Sequence, residues 1–372
     1  MIKKCLLLVV FLLSFSINIS AEQTDYEDFY KEQYEISGAE TLPYSLPDET
    51  RRILEEGGIN PENKDWVNSL TPKNVFSHIL EFLKSGAKTP FFSAAALVSI
   101  ILISAALESM GISTSSSTAA LYATALSATA VIIKPIFSTV NACVGAMQGC
   151  ATFMLAFIPI FAVIVASSGT IATSISMSSL LLGAAQAVNY ISNFIVIPLL
   201  GGYMAISVAA SISPIISNSG IAEGIKKLSF WIMSLTTTIF IGILSIQTTV
   251  NASADTLSLK TAKFLIGSSV PVAGTALSEA LTTVTASMGL LKSTVGIYGV
   301  VACCTLFLPL LAELVLWRVI LVVVSSISDL FSLNKISKLL RSIDTVMSVM
   351  TGIILLTCAL FVISLCVVIT VR

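Results

Sequence analysis

The chain is 372 residues long, with 55% hydrophobic and 11% charged residues and a mean hydropathy of +0.93, whereas soluble domains carry about 25% charged residues. Water is therefore not its main solvent, and the net charge of −1 hides an uneven layout in which residues 22–88 hold 14 acidic and 7 basic groups. An acidic segment of this kind excludes nucleic acid as a partner, because affinity for phosphates comes from clustered Lys and Arg.

In chain order, Met1 to Lys4 is a positive n-region, Cys5 to Phe15 is apolar apart from Ser14, and Ile19-Ser20-Ala21 offers a small residue for cleavage. Residues 1–21 read as a signal peptide, with an uncleaved anchor giving the same sidedness. Residues 22–88 form a small exported segment. Within it, Pro47 precedes a helix over Asp48 to Glu56 that Gly57-Gly58 stops. A second helix starts at Thr71 with Pro72 at its first position, carries Val75, Phe76, Ile79, Leu80 and Leu83 at helical spacing, and closes at Ser85-Gly86. His78, the single histidine, falls beside that stripe as a solvated surface residue.

Residues 89–372 form a membrane domain of about eight spans, each needing roughly 20 residues to cross about 30 Å of hydrocarbon. The expected spans are 91–108, 118–133, 150–168, 171–189, 191–212, 229–248, 296–324 and 346–370. The second to fourth are rich in Ala, Ser, Gly and Thr, which let helices approach closely. With an exported start, eight crossings leave Lys226, Lys227, Lys335, Lys338 and Arg341 in the cytoplasm, as the positive-inside rule requires, and return Arg372 to the outside. Residues 325–345 have an apolar side (Ile327, Leu330, Phe331, Ile336, Leu339, Leu340, Ile343) and a polar one (Asn334, Lys335, Lys338, Arg341), which predicts an interfacial amphipathic helix. The fold class is all-α: a polytopic helical membrane protein with a small exported N-terminal helical segment.

Catalysis is not expected. His78 lies outside the spans, so no imidazole base sits at membrane depth, and there is no nucleotide loop, no H-E-x-x-H pair and no Cys/His set at ligand spacing. No cofactor or metal is implied. The seven cysteines include none in the exported segment, so no disulfide framework follows. Adjacent Cys303 and Cys304 read as small buried hydrophobes.

The stretch 247–292 breaks the lipid-facing pattern, with Gln247, Asn251, Asp255, Lys260, Lys263, Glu279 and Lys292 set among apolar residues. Pro271 stands between Gly267 and Gly274. One reading is a re-entrant pair of half-helices turning at Pro271 and lining a passage, since irregular backbone at membrane depth must be buried in protein or face a wet cavity. The other is a solvated external loop. Candidate pathway or gating residues are Gln247, Asp255, Lys260, Lys263, Pro271, Gly274 and Glu279, with Glu108, Lys134 and Lys292 weaker. Glu108 and Lys134 stand at span ends, where charged side chains snorkel.

Gln247-Thr-Thr-Val-Asn-Ala-Ser-Ala-Asp255, Lys260-Thr-Ala-Lys263-Phe264, Val270-Pro-Val-Ala-Gly274 and Leu277-Ser-Glu-Ala280 closely resemble the best-defined segment of the stage III sporulation protein AE family. Two positions depart from the pattern, with Glu279 in place of an aspartate and Ser268 in place of an asparagine. The resemblance implies a membrane component of the channel, or feeding tube, between mother cell and engulfed forespore. It also implies partners: the other stage III sporulation A-operon proteins, among them an ATPase and ring-forming proteins, and a forespore protein called Q. The exported segment would then face the space between the two membranes around the forespore. A free-standing secondary transporter, binding substrate and ion at the same charged stretch, is the competing reading.

Overall fold

The structure, a computed structural model, describes residues 26–62, 66–67, 88–109, 114–167, 190–212 and 274–370, with isolated positions in 183–187 and 220–242. Every regular element among the described residues is helical. The helix expected from Thr71, and His78 within it, lie outside them, as does the span expected at 171–189 for the most part.

The N-terminal segment is built from α1 (Tyr26–Ile36), two short 3-10 turns (Ala39–Thr41 and Pro43–Ser45) and α2 (Asp48–Glu56). Tyr30 and Tyr34 stand four residues apart, on one face of α1, with stacked rings 6.4 Å apart. In α2, Asp48 and Glu49 occupy the first turn, where the positive end of the helix dipole favours carboxylates. Thr50 and Leu54 are its buried residues. The helix stops where the glycine pair predicts. Gly58 adopts φ +67, and its N–H reaches the Glu55 carbonyl at 3.0 Å while the Ile59 N–H reaches that of Leu54 at 2.9 Å. These two bonds make a Schellman cap, which needs the left-handed backbone that glycine adopts without strain.

Among the described residues five long helices follow: α3 (Lys88–Ser109), α4 (Thr114–Ser167), α5 (Ile197–Ile212, entered through a π-turn over Ser192–Val196), α6 (Gly274–Leu330) and α7 (Asn334–Thr370). Each, α5 taken together with its π-turn, contains a stretch apolar and long enough to cross a membrane, so the all-α multi-span fold holds.

Two expectations are revised. The spans at 118–133 and 150–168 are parts of one uninterrupted helix, α4, with Pro135 and Pro159 inside it. A proline removes one backbone bond, but in an apolar packed setting neighbouring helices compensate for it, and no glycine accompanies Pro135 to reverse the chain. The single amphipathic helix at 325–345 is instead a hairpin tip, because α6 ends at Leu330 and α7 starts at Asn334. Ser332 holds φ 58. The Leu333 N–H bonds the Ser328 carbonyl at 3.0 Å and the Ser332 N–H that of Asp329 at 2.9 Å, a second Schellman cap with serine where glycine is usual. The apolar stripe then buries Leu333, Ile336, Leu339, Leu340 and Ile343 in the core and not in a lipid surface. Ser332→Gly should raise the thermal midpoint of the purified chain by relieving a left-handed strain of about 1 kcal/mol, and Ser332→Val should lower it. Equal midpoints in the two variants would refute the cap.

The bundle is assembled around α6, which touches α1, α2, α3, α4 and α7. Its register against α4 is fixed by two side-chain contacts, Thr139 with Glu313 and Cys150 with Cys303. Moving forward along α4 moves backward along α6, so the two are antiparallel. The 54 residues of α4 and 57 of α6 make rods about 81 and 86 Å long at 1.5 Å per residue. Hydrocarbon is only about 30 Å thick and spanning helices tilt by 40° at most. Part of each rod must therefore stand beyond the bilayer core.

Candidate functional site

Polar groups in the bundle gather at two levels along α6. The first lies at residues 291–299, where the N-terminal segment packs on the helix. Lys292 is buried there, at 4% exposure, and is the one charged side chain buried among the described residues. Two residues on, Thr294 interacts with the Tyr30 hydroxyl, which donates to the Pro61 carbonyl at 2.8 Å. Burial raises both Tyr30 and Tyr34 well above the ordinary tyrosine range, and the carboxylate of Glu62 adds to the shift. Both phenols thus stay neutral donors at physiological pH. Tyr298 closes the floor of a cleft that Lys31, Tyr34, Glu35, Arg51 and Glu55 also line.

This docking holds the segment tightly against α4 as well. A Cβ added at Gly149 would lie 2.8 Å from Cγ of Pro47, closer than any real contact, so the glycine is what lets the chain at Pro47 approach the helix. Tyr30, Tyr34, Leu42, Leu46 and Leu54 join the same continuous core as the ladder Phe153, Phe157 and Phe161 of α4. The N-terminal segment and the bundle are one packed body.

The second level lies lower on α6. Thr139 of α4 donates to Oε1 of Glu313 at 2.6 Å, tying α4 to α6. Arg318 Nε stands 3.2 Å from Oδ1 of Asp344, with side chains 29% and 25% exposed, tying α6 to α7. Between the two acids in sequence lies Trp317, fully buried, its indole N–H without an acceptor among the described residues. Charged residues inside apolar helices are expensive and almost always paired. Here each is matched to a neighbouring helix, so the level works as a set of interhelical ties and is the polar seam of an otherwise apolar bundle.

Between the two levels, the adjacent cysteines of α6 face different neighbours. The Cys303 sulfur lies 4.0 Å from that of Cys150 on α4, and Cys304 interacts with Cys358 on α7. Adjacent residues on a helix diverge by about 100°, which is how one rod meets two partners at one height.

Of the residues singled out from the sequence, Gln247, Asp255, Lys260, Lys263 and Pro271 lie outside the described residues. Gly274 is the first residue of α6 and Glu279 follows within its helical backbone. Lys292 is buried, while Lys134 is exposed on α4 beside exposed Ile133 and Phe137. Glu108 is near the end of α3. Sequence reasoning passed over Thr139, Glu313, Arg318 and Asp344. A signal was available for two of them, because Glu313 and Arg318 interrupt the expected span 296–324; the threonine carries no such mark.

A family model described as stage III sporulation protein AE matches residues 63–371. Stage III sporulation protein AE of Bacillus subtilis (strain 168) is 30% identical over 161 residues, which is 43% of this chain and 40% of that relative. The aligned part is thus less than half of the relative. No solved structure is similar to the chain.

Proposed function

The chain belongs to the stage III sporulation protein AE family, and on that premise we propose that it is a noncatalytic membrane component of the sporulation channel between mother cell and forespore. It is a multi-pass membrane protein of a sporulation family, and the family match across residues 63–371 carries the reading. On this proposal it sits in the mother-cell membrane around the forespore, with the N-terminal segment in the intermembrane space. Its partners are the other stage III sporulation A-operon proteins and the forespore protein Q. The sequence contains no nucleotide loop, so energy would come from a partner.

The separation of the acidic and basic features along α6 supports this sidedness. The acidic N-terminal segment packs near Thr294 and Tyr298, and Lys335, Lys338 and Arg341 follow the turn about 50 Å away along α6. Co-purification of the full chain from sporulating cells, with partners identified by mass, tests the reading. The expected result is recovery of other A-operon products. Transport by the purified chain alone in liposomes would overturn it in favour of a free-standing transporter.

Within the channel, Gln247, Asp255, Lys260, Lys263, Pro271, Gly274 and Glu279 are proposed to line or gate the passage. Neutralising Asp255, Lys260, Lys263 or Glu279 is expected to reduce heat-resistant spores while the protein remains in the membrane at normal level. Equal loss of protein in all four variants would assign them to folding instead.

A further inference from the structure

The cleft over Tyr298 has a volume of about 540 Å³, within the range of about 300–1,000 Å³ that ligand sites occupy. Its walls come from α1, the two 3-10 turns, α2 and the chain that follows, with Tyr298 of α6 as the floor. Packing the N-terminal segment on α6 is therefore what creates the space. The charged side chains that crowd it put it in water, beyond the hydrocarbon.

Two features of the cleft are left over once its internal contacts are assigned. The first is negative charge. Arg51 is taken by Asp48 at 2.7 Å and by Glu55 at 3.9 Å. Glu35, Glu40 and Glu62 also line the cleft, and none of the three is in an ion pair among the described residues. Lys31 is the other cation of the lining, so three carboxylates stand against one ammonium. Burial raises Tyr34 above the ordinary tyrosine range, and the carboxylates of Glu62 and Glu40 add to that shift, which places both acids within electrostatic reach of one ring.

The second feature is a hydroxyl. Tyr298 is 1% exposed and lines the cleft, and its hydroxyl makes no hydrogen bond among the described residues. A phenol donates one bond and accepts others, and leaving a buried polar group unmatched costs free energy, so the floor offers a contact to a polar group that enters. At the rim, Tyr44 is 76% exposed and holds the Arg51 guanidinium 5.7 Å from its ring centroid. A ring that open has room for a second cation.

We propose that the cleft is a docking site for a basic peptide segment of a partner protein, with a Lys or Arg head group among Glu35, Glu40 and Glu62 and a peptide carbonyl accepting from the Tyr298 hydroxyl. The excess of carboxylates selects a cationic occupant. A free polyamine meets the acids but brings no acceptor for the Tyr298 and Lys31 donors, whereas a peptide backbone supplies carbonyls for both. The site is independent of the channel reading, since it needs only the N-terminal segment docked on α6.

The test uses the full-length chain purified in detergent and a fluorescein-labelled peptide of alternating arginine and glycine, read by fluorescence anisotropy beside a counterpart with glutamine for each arginine. The arginine peptide is expected to bind about tenfold more tightly than its counterpart, roughly 1.4 kcal/mol. The triple variant Glu35→Gln/Glu40→Gln/Glu62→Gln should lose most of that preference at an unchanged thermal midpoint, since all three side chains are exposed. Glu32→Gln/Glu49→Gln/Glu56→Gln removes the same charge from exposed positions outside the cleft and should keep the preference. Tyr298→Phe should weaken the arginine peptide about fivefold, the worth of one hydrogen bond. Should Tyr298→Phe fail to fold, the two triple variants, altered only at exposed positions, decide the matter. Equal binding of the two peptides, equal losses in the two triple variants, undiminished affinity in a folded Tyr298→Phe, or full displacement of the peptide by an equal concentration of spermidine would each overturn the proposal.

Discussion

Replacing Arg318 with leucine is expected to destabilise the bundle by about 3 kcal/mol, because it leaves the Asp344 carboxylate without its cation in a setting that is three-quarters buried. Asp344→Leu should cost a similar amount for the mirror-image reason. The double variant is the informative one. Replacing a desolvated ion pair by two apolar side chains of comparable volume is often close to neutral, so its thermal midpoint should return towards the wild-type value. If the two single losses instead add in the double variant, the residues are not coupled and the tie between α6 and α7 is mis-assigned. Spore formation by the double variant asks a separate question. A stable chain that no longer supports it would show that the charges themselves are used, beyond holding two helices together.

Gly149→Leu is expected to detach the N-terminal segment from α4. The Cβ alone would enter to 2.8 Å from Pro47, and three further carbons have no room, so overpacking of about 1 to 3 kcal/mol must be relieved by moving one side away. The α4 backbone is held by its own helical bonds and by α3 and α6, whereas the chain at Pro47 is not in a helix, so the segment should move. Limited proteolysis of the detergent-purified chain should then cut within residues 26–62 at a rate well above wild type. Gly145 on the same helix supplies the control, since a Cβ there meets nothing within 4 Å. Gly145→Ala should leave proteolysis unchanged and gain up to about 1 kcal/mol in helix propensity. Similar cleavage in Gly149→Leu and wild type would mean that the segment is not docked as described.

Local features were legible where the signal itself is local. The helix Asp48–Glu56 was readable to the residue because the stop glycine, the preceding proline and the first-turn acids all act within a few positions. The long apolar helices were visible from hydropathy alone. What hydropathy does not encode is where one rod ends and the next begins, since a proline without a glycine neighbour ends a helix in water and is carried through one in a packed apolar bundle. That is why α4 runs through Pro135. The break at Ser332 was equally hidden, because the left-handed cap there uses a serine where glycine is the usual marker.

The polar seam divides in the same way. Glu313 and Arg318 are charges inside an apolar run, and sequence by itself marks them as costly and in need of partners. That Thr139 and Asp344 are those partners is decided by register, which depends on side-chain packing along whole helices and cannot be read from any short window. The sequence alone therefore determined the solvent of this protein, its all-helical class, its family and its local helix stops, because each depends on the transfer free energy or backbone preference of nearby residues. Only the tertiary structure decided that α6 is the central rod, that the N-terminal segment packs on it beside a buried lysine, and which charges neutralise one another. Those outcomes arise from contacts between residues that no short window contains, 26 positions apart for Arg318 and Asp344 and 174 for Thr139 and Glu313, brought together by burial.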